Sequence, residues 1–128
     1  MRLFLPGWEG NASIKWLQNL VVTNQPAYSK DETSKYTDRD SDGRAAMFTF
    51  EMGVKSVITS PSLQLDMGPH GVYQVSGLAW SGAGRIKSVE VSADGGKTWA
   101  LAALDSEAQS KSLTRFRVPL QWLSLIHI

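Results

Sequence analysis

The chain has 128 residues, of which 42% are hydrophobic and 20% charged, and its net charge is +1. That length allows one domain with a hydrophobic core, and the near-neutral charge gives no basis for binding nucleic acid or an anionic membrane. The absence of cysteine excludes disulfides, a thiolate nucleophile and a cysteine-bound metal within this chain. No apolar run approaches the roughly 18 residues of a membrane span, and we expect no signal peptide at the N-terminus.

The first 22 residues contain two short apolar runs around a polar turn. Leu3–Leu5 ends at Pro6-Gly7, and the second run covers Ile14–Val22. Proline and glycine stop the first run, and a segment this short cannot bury both of its faces. We therefore predict that residues 1–22 are the edge of a larger domain.

Residues 23–46 are polar, rich in turn-forming residues and without a period, which predicts a linker or wrapping loop. Within them, Asp38, Asp40 and Asp42 precede Gly43 in the spacing that opens a calcium-binding loop. The position that requires a bidentate glutamate is Thr49, so the pattern favours a solvated acidic turn over a calcium site.

From Met47 the pattern changes to alternating apolar and polar residues, which predicts β-strands. The predicted strands are short and end at turn residues: Phe48–Glu51, Val54–Thr59, Leu63–Leu65 and Val72–Trp80. Gly77 interrupts the longest run, which indicates a bulge or a close-packing site.

Gly77–Trp99 reads as one hairpin unit, with a Ser81–Gly84 turn between its strands. A second turn, Ser92–Trp99, fits the short Asp-box pattern, in which Asp and Ser side chains bond the turn backbone and the Trp packs beneath it. Asx-turn chemistry explains these residues without a ligand. Two further strands follow, at Trp99–Leu104 and Leu113–Val118.

Six or so short strands with turns between them predict an all-β, antiparallel β-sandwich over residues 47–122. A sandwich of this pattern needs one more hairpin, so we expect it to be incomplete and to expose a sheet edge. The apolar tail Leu123–Ile128 has no partner strand and is predicted to be non-native sequence.

The tryptophans and histidines bear on two other functions. Trp16, Trp80 and Trp99 are predicted to pack in the core, whereas Trp8 and Trp122 are predicted to be exposed. Exposed aromatic residues allow an alternative function, that of a free-standing immunoglobulin-like module that binds carbohydrate or protein. His70, in a turn, and His127, in the tail, have no partners for acid–base or metal chemistry, which argues against a self-contained enzyme.

Two blocks of sequence carry a family resemblance. They are RLFLPGWEG with SIKWL, between Arg2 and Leu17, and GLAWSG with VEVSADGGKTW, between Gly77 and Trp99. In this order they resemble the sulfite-oxidase family of molybdenum enzymes, and within it the bacterial sulfane dehydrogenase (Sox-type sulfite dehydrogenase) catalytic subunit. Glu32–Tyr36 and Phe48–Met52 are similar to the bacterial branch, and the resemblance covers about Arg2–Trp122.

The resemblance implies that residues 1–22 are the C-terminal edge of a molybdopterin-binding domain and that residues 47–122 are an immunoglobulin-like dimerisation domain. By position, it assigns the cofactor pocket Arg2 and the three residues Ser13, Ile14 and Lys15. Molybdopterin ends in a phosphate, to which Arg offers a fork of donors, Lys a point charge, and Ser and backbone N–H groups hydrogen bonds.

The resemblance further implies a periplasmic parent enzyme that oxidises inorganic sulfur compounds and passes electrons to a c-type cytochrome subunit. The family's molybdenum-binding cysteine and its oxyanion-binding arginine and tyrosine residues have no counterpart in this chain. We therefore expect a fragment that supplies homodimerisation and part of the pocket. On its own it is expected to retain no molybdopterin, to be inactive and to self-associate.

Overall fold

The structure is a computed structural model, and it describes residues 1–62 and 70–122. The chain divides into two compact units, residues 1–52 and 53–128. The predicted strand Leu63–Leu65 and the tail Leu123–Ile128 lie outside the described residues. Among the described helices, none combines the length and the apolar character that crossing a membrane requires.

The first unit contains short elements joined by long irregular segments. They are a 3-10 helix (Gly10–Ala12), α1 (Lys30–Ser34), β1 (Thr37–Arg39) and β2 (Ala45–Met47). Segment 23–46, predicted to be a linker or loop, thus contains a helix and an antiparallel hairpin. The helix begins where the Ser29 side chain accepts a hydrogen bond from the Glu32 N–H, at 3.3 Å. A single capped turn has no hydrophobic period, so pattern analysis does not detect it.

The acidic motif forms the loop of the β1–β2 hairpin. One carboxylate oxygen of Asp40 accepts hydrogen bonds from the backbone N–H groups of Asp42, at 3.0 Å, and Arg44, at 2.8 Å. Gly43 follows with a φ of +78°, in the left-handed region that glycine enters without a steric penalty. The described residues contain no group of three His, Cys, Asp or Glu that could hold a metal ion.

The predicted strand at residues 48–51 is wrong. β2 ends before Phe48, whose φ of +61° lies in the left-handed region, through which a strand cannot continue. The aromatic rings here pack on one another instead. Trp8 stacks on Phe50 at 5.1 Å, Phe50 on Phe48 at 5.9 Å, and Tyr28 meets Phe48 edge-on at 5.5 Å.

The second unit contains a four-stranded antiparallel sheet in the order β3-β4-β8-β7 and a two-stranded sheet, β5-β6. Their bounds are β3 (Lys55–Ser60), β4 (Gly71–Trp80), β5 (Glu90–Val91), β6 (Ala100–Leu101), β7 (Ala103–Leu104) and β8 (Thr114–Trp122). β4 and β8 pair continuously from Gly71↔Trp122 to Ala79↔Thr114. The strands predicted at 54–59, 72–80 and 113–118 are confirmed, with β8 extending further than predicted.

The hydrophobic core lies between the four-stranded sheet and the layer that contains β5 and β6. Alternate residues are buried along β4 and β8, as expected of strands with one face in a core. The buried apolar residues are Val75, Ala79, Phe116 and Val118 from these strands and Ile86, Val91 and Ala102 from the other layer. Two antiparallel layers around one core confirm the predicted all-β sandwich.

The predicted hairpin across the Ser81–Gly84 turn is wrong. β4 already pairs with β3 on one side and β8 on the other, so the chain that leaves Trp80 cannot fold back onto it. Residues 85–89 instead cross to the opposite layer, where Ile86 is buried. The hairpin at Ser92–Trp99 is confirmed, because it joins β5 to β6.

The predicted strand Trp99–Leu104 is divided between the two layers. β6 belongs to the two-stranded sheet and β7 to the four-stranded sheet, and Ala102 between them is buried. The Ala102 N–H donates to the Val89 carbonyl at 2.9 Å. The chain therefore changes layer at one small residue, which is part of the hydrophobic core.

Two of the three tryptophans predicted for the core are exposed. Trp16 is 85% exposed and Trp99 is 61% exposed, whereas Trp80 is half-buried. The Trp99 indole N–H donates to the Gly96 carbonyl at 3.1 Å, so the ring covers the outside of its own turn. Trp8 is 36% exposed, and Trp122 is half-buried rather than exposed.

Side-chain hydrogen bonds hold the β5–β6 turn together. Asp94 accepts from the backbone N–H groups of Lys97, at 3.0 Å, and Thr98, at 2.9 Å, and from the Thr98 hydroxyl at 2.6 Å. Ser92 donates to Asp94 at 2.8 Å and accepts from the Gly96 N–H at 2.8 Å. The Thr98 hydroxyl, followed by the Thr98 N–H and the Ser92 hydroxyl, holds the pKa of Asp94 well below its usual range.

Gly77 is a close-packing site, one of the two roles predicted for it. It lies opposite Phe116 on β8, and a Cβ at this position would overlap both the Phe116 ring and the Val57 carbonyl oxygen. The register of neighbouring β3 shifts between Ile58 and Ser60, so the bulge lies on that strand. The glycine therefore makes room for the largest buried side chain of the core.

We expect Gly77→Ala to lower the free energy of unfolding by about 2 kcal/mol or more, because the added methyl group overpacks the core. Gly84→Ala is the matched control, since a Cβ there meets no atom within 4 Å. Denaturant unfolding of both variants checks this. An equal loss of stability in the two variants would contradict close packing at Gly77.

We expect Asp94→Asn to destabilise the chain at pH 7 and to reduce its loss of stability in acid. A depressed pKa contributes stability that is present above the ordinary Asp pKa, near 3.9, and is lost as pH falls below it. Thermal unfolding at pH 7 and at pH 3 measures both effects. Glu107→Gln, at an exposed acidic residue, serves as the control and should behave like wild type.

Candidate functional site

The N-terminal ribbon brings together residues that are far apart in sequence. Arg2 lies directly opposite Lys15 in an antiparallel bridge. Beside this pair, the Leu3 N–H donates to the Ile14 carbonyl at 3.0 Å. The two short apolar runs of the sequence are therefore the two sides of one narrow ribbon.

The turn between the two sides follows from its local sequence. Gly7 has a φ of +83°, which reverses the chain after Pro6. The 3-10 helix then ends at Ser13, whose N–H donates to the Gly10 carbonyl at 3.1 Å. The Ser13 hydroxyl accepts from the Leu5 N–H at 3.4 Å, which joins the two sides near the turn.

An open groove of about 360 Å³ lies at the other end of the ribbon, lined by Met1, Arg2, Lys15 and Trp16. Trp16 adopts a left-handed φ of +57° and projects its ring into solvent. The sequence prediction placed this residue in the core and missed it as part of the groove. Its position beside Lys15 was the available signal, but the left-handed backbone that exposes the ring is not visible in the sequence.

The electrostatics of this groove favour an anion. Arg2 and Lys15 carry like charges directly opposite each other, an arrangement that destabilises a strand pair. Within the described part of the chain, the ion pairs are Lys35–Asp31 and those of Asp105 with Arg115 and Arg117, and neither groove cation takes part in one. An anion between the two cations would remove their repulsion and accept the guanidinium donors.

The four predicted pocket residues contribute unequally. Arg2 and Lys15 line the groove, whereas Ser13 and Ile14 lie on the same ribbon outside its lining. The Ser13 hydroxyl retains its proton as a donor, while the Ile14 carbonyl is already bonded to Leu3. The donor set suits a phosphate group, and the exposed Trp16 ring adds a flat apolar surface beside it. Cofactor binding by these residues stays a prediction.

Comparison with known proteins finds one matching family and several similar enzymes. Residues 46–123 match the family described as Mo-co oxidoreductase dimerisation domain. Sulfite oxidase of Gallus gallus is 37% identical over 112 residues, which cover 81% of this chain and 24% of that protein. Mitochondrial sulfite oxidase of Homo sapiens is 35% identical over 117 residues, covering 85% and 21%. Nitrate reductase [NADH] 1 of Phaseolus vulgaris is 31% identical over 123 residues, covering 82% and 14%.

A solved structure is similar in both fold and sequence. The crystal structure of the sulfane dehydrogenase SoxCD from Paracoccus pantotrophus matches with a TM-score of 0.83 and 50% identity. The match covers 94% of this chain and 31% of that one. The chain therefore spans less than a third of the length of each of these relatives.

We expect the groove to bind inorganic pyrophosphate weakly and in a salt-dependent manner, because two unpaired cations face each other there. Amide shifts in an NMR titration should concentrate at Arg2 and residues 13–16. Arg2→Ala and Lys15→Ala should each weaken binding by about threefold to tenfold at low salt. Lys97→Ala, at an exposed lysine of the β5–β6 turn, should leave binding unchanged. Equal affinity in all three variants would contradict an anion site at the groove.

Proposed function

The chain belongs to the Mo-co oxidoreductase dimerisation domain family, and from this premise we propose that it is part of a molybdenum-dependent sulfite or sulfane dehydrogenase. This enzyme oxidises inorganic sulfur compounds, passes electrons to a c-type cytochrome and acts in the periplasm. One observation carries the choice within the family: the sulfane dehydrogenase SoxCD is 50% identical to the chain. The sulfite oxidases and nitrate reductase compared above are 31–37% identical.

The first unit contributes to the cofactor pocket. Arg2 and Lys15 would hold the phosphate of molybdopterin by charge-assisted hydrogen bonds, whereas Ser13 and Ile14 lie on the same ribbon outside the groove lining. When bound, the molybdenum cofactor supplies the two-electron oxidation of sulfur. The thiolate ligand of the metal comes from outside this chain, which has no cysteine. The residues named here therefore orient the cofactor and do not react.

The second unit contributes assembly. It includes most of the residues that match the dimerisation family, and its layers enclose a small hydrophobic core. We assign it the contact between two identical subunits, and its membership of a dimerisation-domain family supports this assignment. By this division of roles the chain alone retains no molybdopterin and has no activity.

The test uses the enzyme of which this chain is proposed to be a part. Arg2→Ala with Lys15→Ala should lower its molybdenum content by roughly tenfold, because two charge-assisted contacts to phosphate are lost. Sulfite-dependent reduction of cytochrome c should fall in proportion. Lys97→Ala controls for a general loss of positive charge.

Two results would contradict the proposal. One is a double variant that retains its molybdenum and its activity. The other is oxidation of sulfite by the isolated 128-residue chain.

A further inference from the structure

Among the residues that the structure describes, β3 is an exposed edge strand of the four-stranded sheet. It is the first strand in the sheet order, and all six of its residues, Lys55–Ser60, are exposed. Such an edge presents backbone N–H and C=O groups to another strand unless charges, proline or bulges prevent pairing. Here the single charge, Lys55, lies at the start of the strand, and the register shift runs from Ile58 to Ser60. Ser56 and Val57, which lie between them, have neither a charge, a proline nor a bulge.

The middle of β3 is also apolar. Val57 is 46% exposed and Ile58 is 51% exposed, and they point to opposite faces of the sheet. Val57 pairs with Leu78, and Lys55 pairs with Trp80, so an apolar strip on the outer face of the sheet ends at the β3 edge. A strand that pairs there would bury both apolar residues at once.

The geometry of β3 selects one register for a second copy. The Val57 carbonyl points towards Gly77 on β4, so the N–H and C=O groups of Ser56 and Ile58 point to the free edge. A two-fold axis at Val57 places Ser56 opposite Ile58 of the second copy, and the reverse. This arrangement makes four backbone hydrogen bonds and sets Val57 against its own copy, with Cα atoms about 4.5 Å apart.

The same register also brings no two like charges of β3 opposite each other. Lys55 comes opposite Thr59 of the second copy, so the only charged residue of β3 does not face its like. The outer apolar strip of Trp80, Leu78 and Val57 continues across the axis into the second copy. A strand that is complementary to itself makes a closed, isologous contact.

We infer that two copies of the chain associate through antiparallel β3–β3 pairing, which extends the sheet from four strands to eight. This inference rests on the proposed homodimer and specifies which surface forms it. The occupant is a second copy, because the register satisfies the hydrogen bonds and the charge of β3 with the same strand.

Single cysteines test the register, since the chain has none of its own. Under mild oxidation Val57→Cys should form a disulfide-linked dimer, because the Cα separation lies within the disulfide range. Val54→Cys is the control, at a residue 79% exposed whose two copies would lie about 20 Å apart in this register. We expect its cross-linking to be at least about tenfold slower.

A charge substitution tests the same contact without a covalent bond. Val57→Lys sets two like charges against each other and should weaken dimerisation by about tenfold or more in analytical ultracentrifugation. Val72→Lys adds the same charge on the outer face of β4, at a residue 67% exposed that β3 does not pair with, and should leave dimerisation unchanged. Thermal unfolding of both variants checks that the fold is retained.

The outcomes separate the inference from the proposed function. A wild-type dimer that persists in Val57→Lys, with equal cross-linking of the two cysteine variants, would overturn β3 pairing and leave the homodimer intact. A wild-type chain that stays monomeric at high concentration would overturn both. Selective cross-linking at Val57 together with loss of the dimer in Val57→Lys would support both.

Discussion

The contact between the Phe116 ring and the backbone of Gly77 is the constraint on which the second unit depends. It lies within the continuous pairing of β4 and β8, and Phe116 is only 2% exposed. A side chain at Gly77 would separate the central strands or displace the ring from the core. Since β4 pairs on both sides, the rest of the chain must reach the second layer by crossing over the core.

The two glycine-containing turns of this unit act differently for that reason. The Ser81–Gly84 turn redirects the chain from one layer to the other and makes no strand pair across itself. The Ser92–Trp99 turn closes a true hairpin, because the Asp94 carboxylate and the Ser92 hydroxyl satisfy its backbone donors. Turn residues alone indicate a change of direction, whereas the occupancy of the neighbouring strand edges decides what the turn connects.

The two units carry different chemistry. The first presents two like charges across a ribbon and an exposed tryptophan beside them, which is unfavourable without a bound anion. The second presents an apolar edge strand beside a small hydrophobic core, which is unfavourable without a second strand. A bound anion would therefore relieve the charge repulsion on the first unit. A second strand would cover the apolar edge of the second unit. This supports separate roles in cofactor binding and in assembly.

The sequence by itself determined three strands of the four-stranded sheet (β3, β4 and β8), the Ser92–Trp99 hairpin and the family, and it narrowed the role of Gly77 to a bulge or a close-packing site. The alternation of apolar and polar residues, the Asx-turn residues and the family motifs each lie within a short stretch of sequence. They can therefore be recognised without knowing which distant segments come into contact. Only the tertiary structure decided that β4 has both edges filled, that Phe48 leaves the strand, and that Trp16 and Trp99 are exposed. Those outcomes depend on which distant segments compete for the same edge or face, and this competition leaves no periodicity in the sequence. The pairing of Arg2 with Lys15 was also decided only by the tertiary structure. It forms because a turn and a 3-10 helix fold the chain back on itself between the two residues.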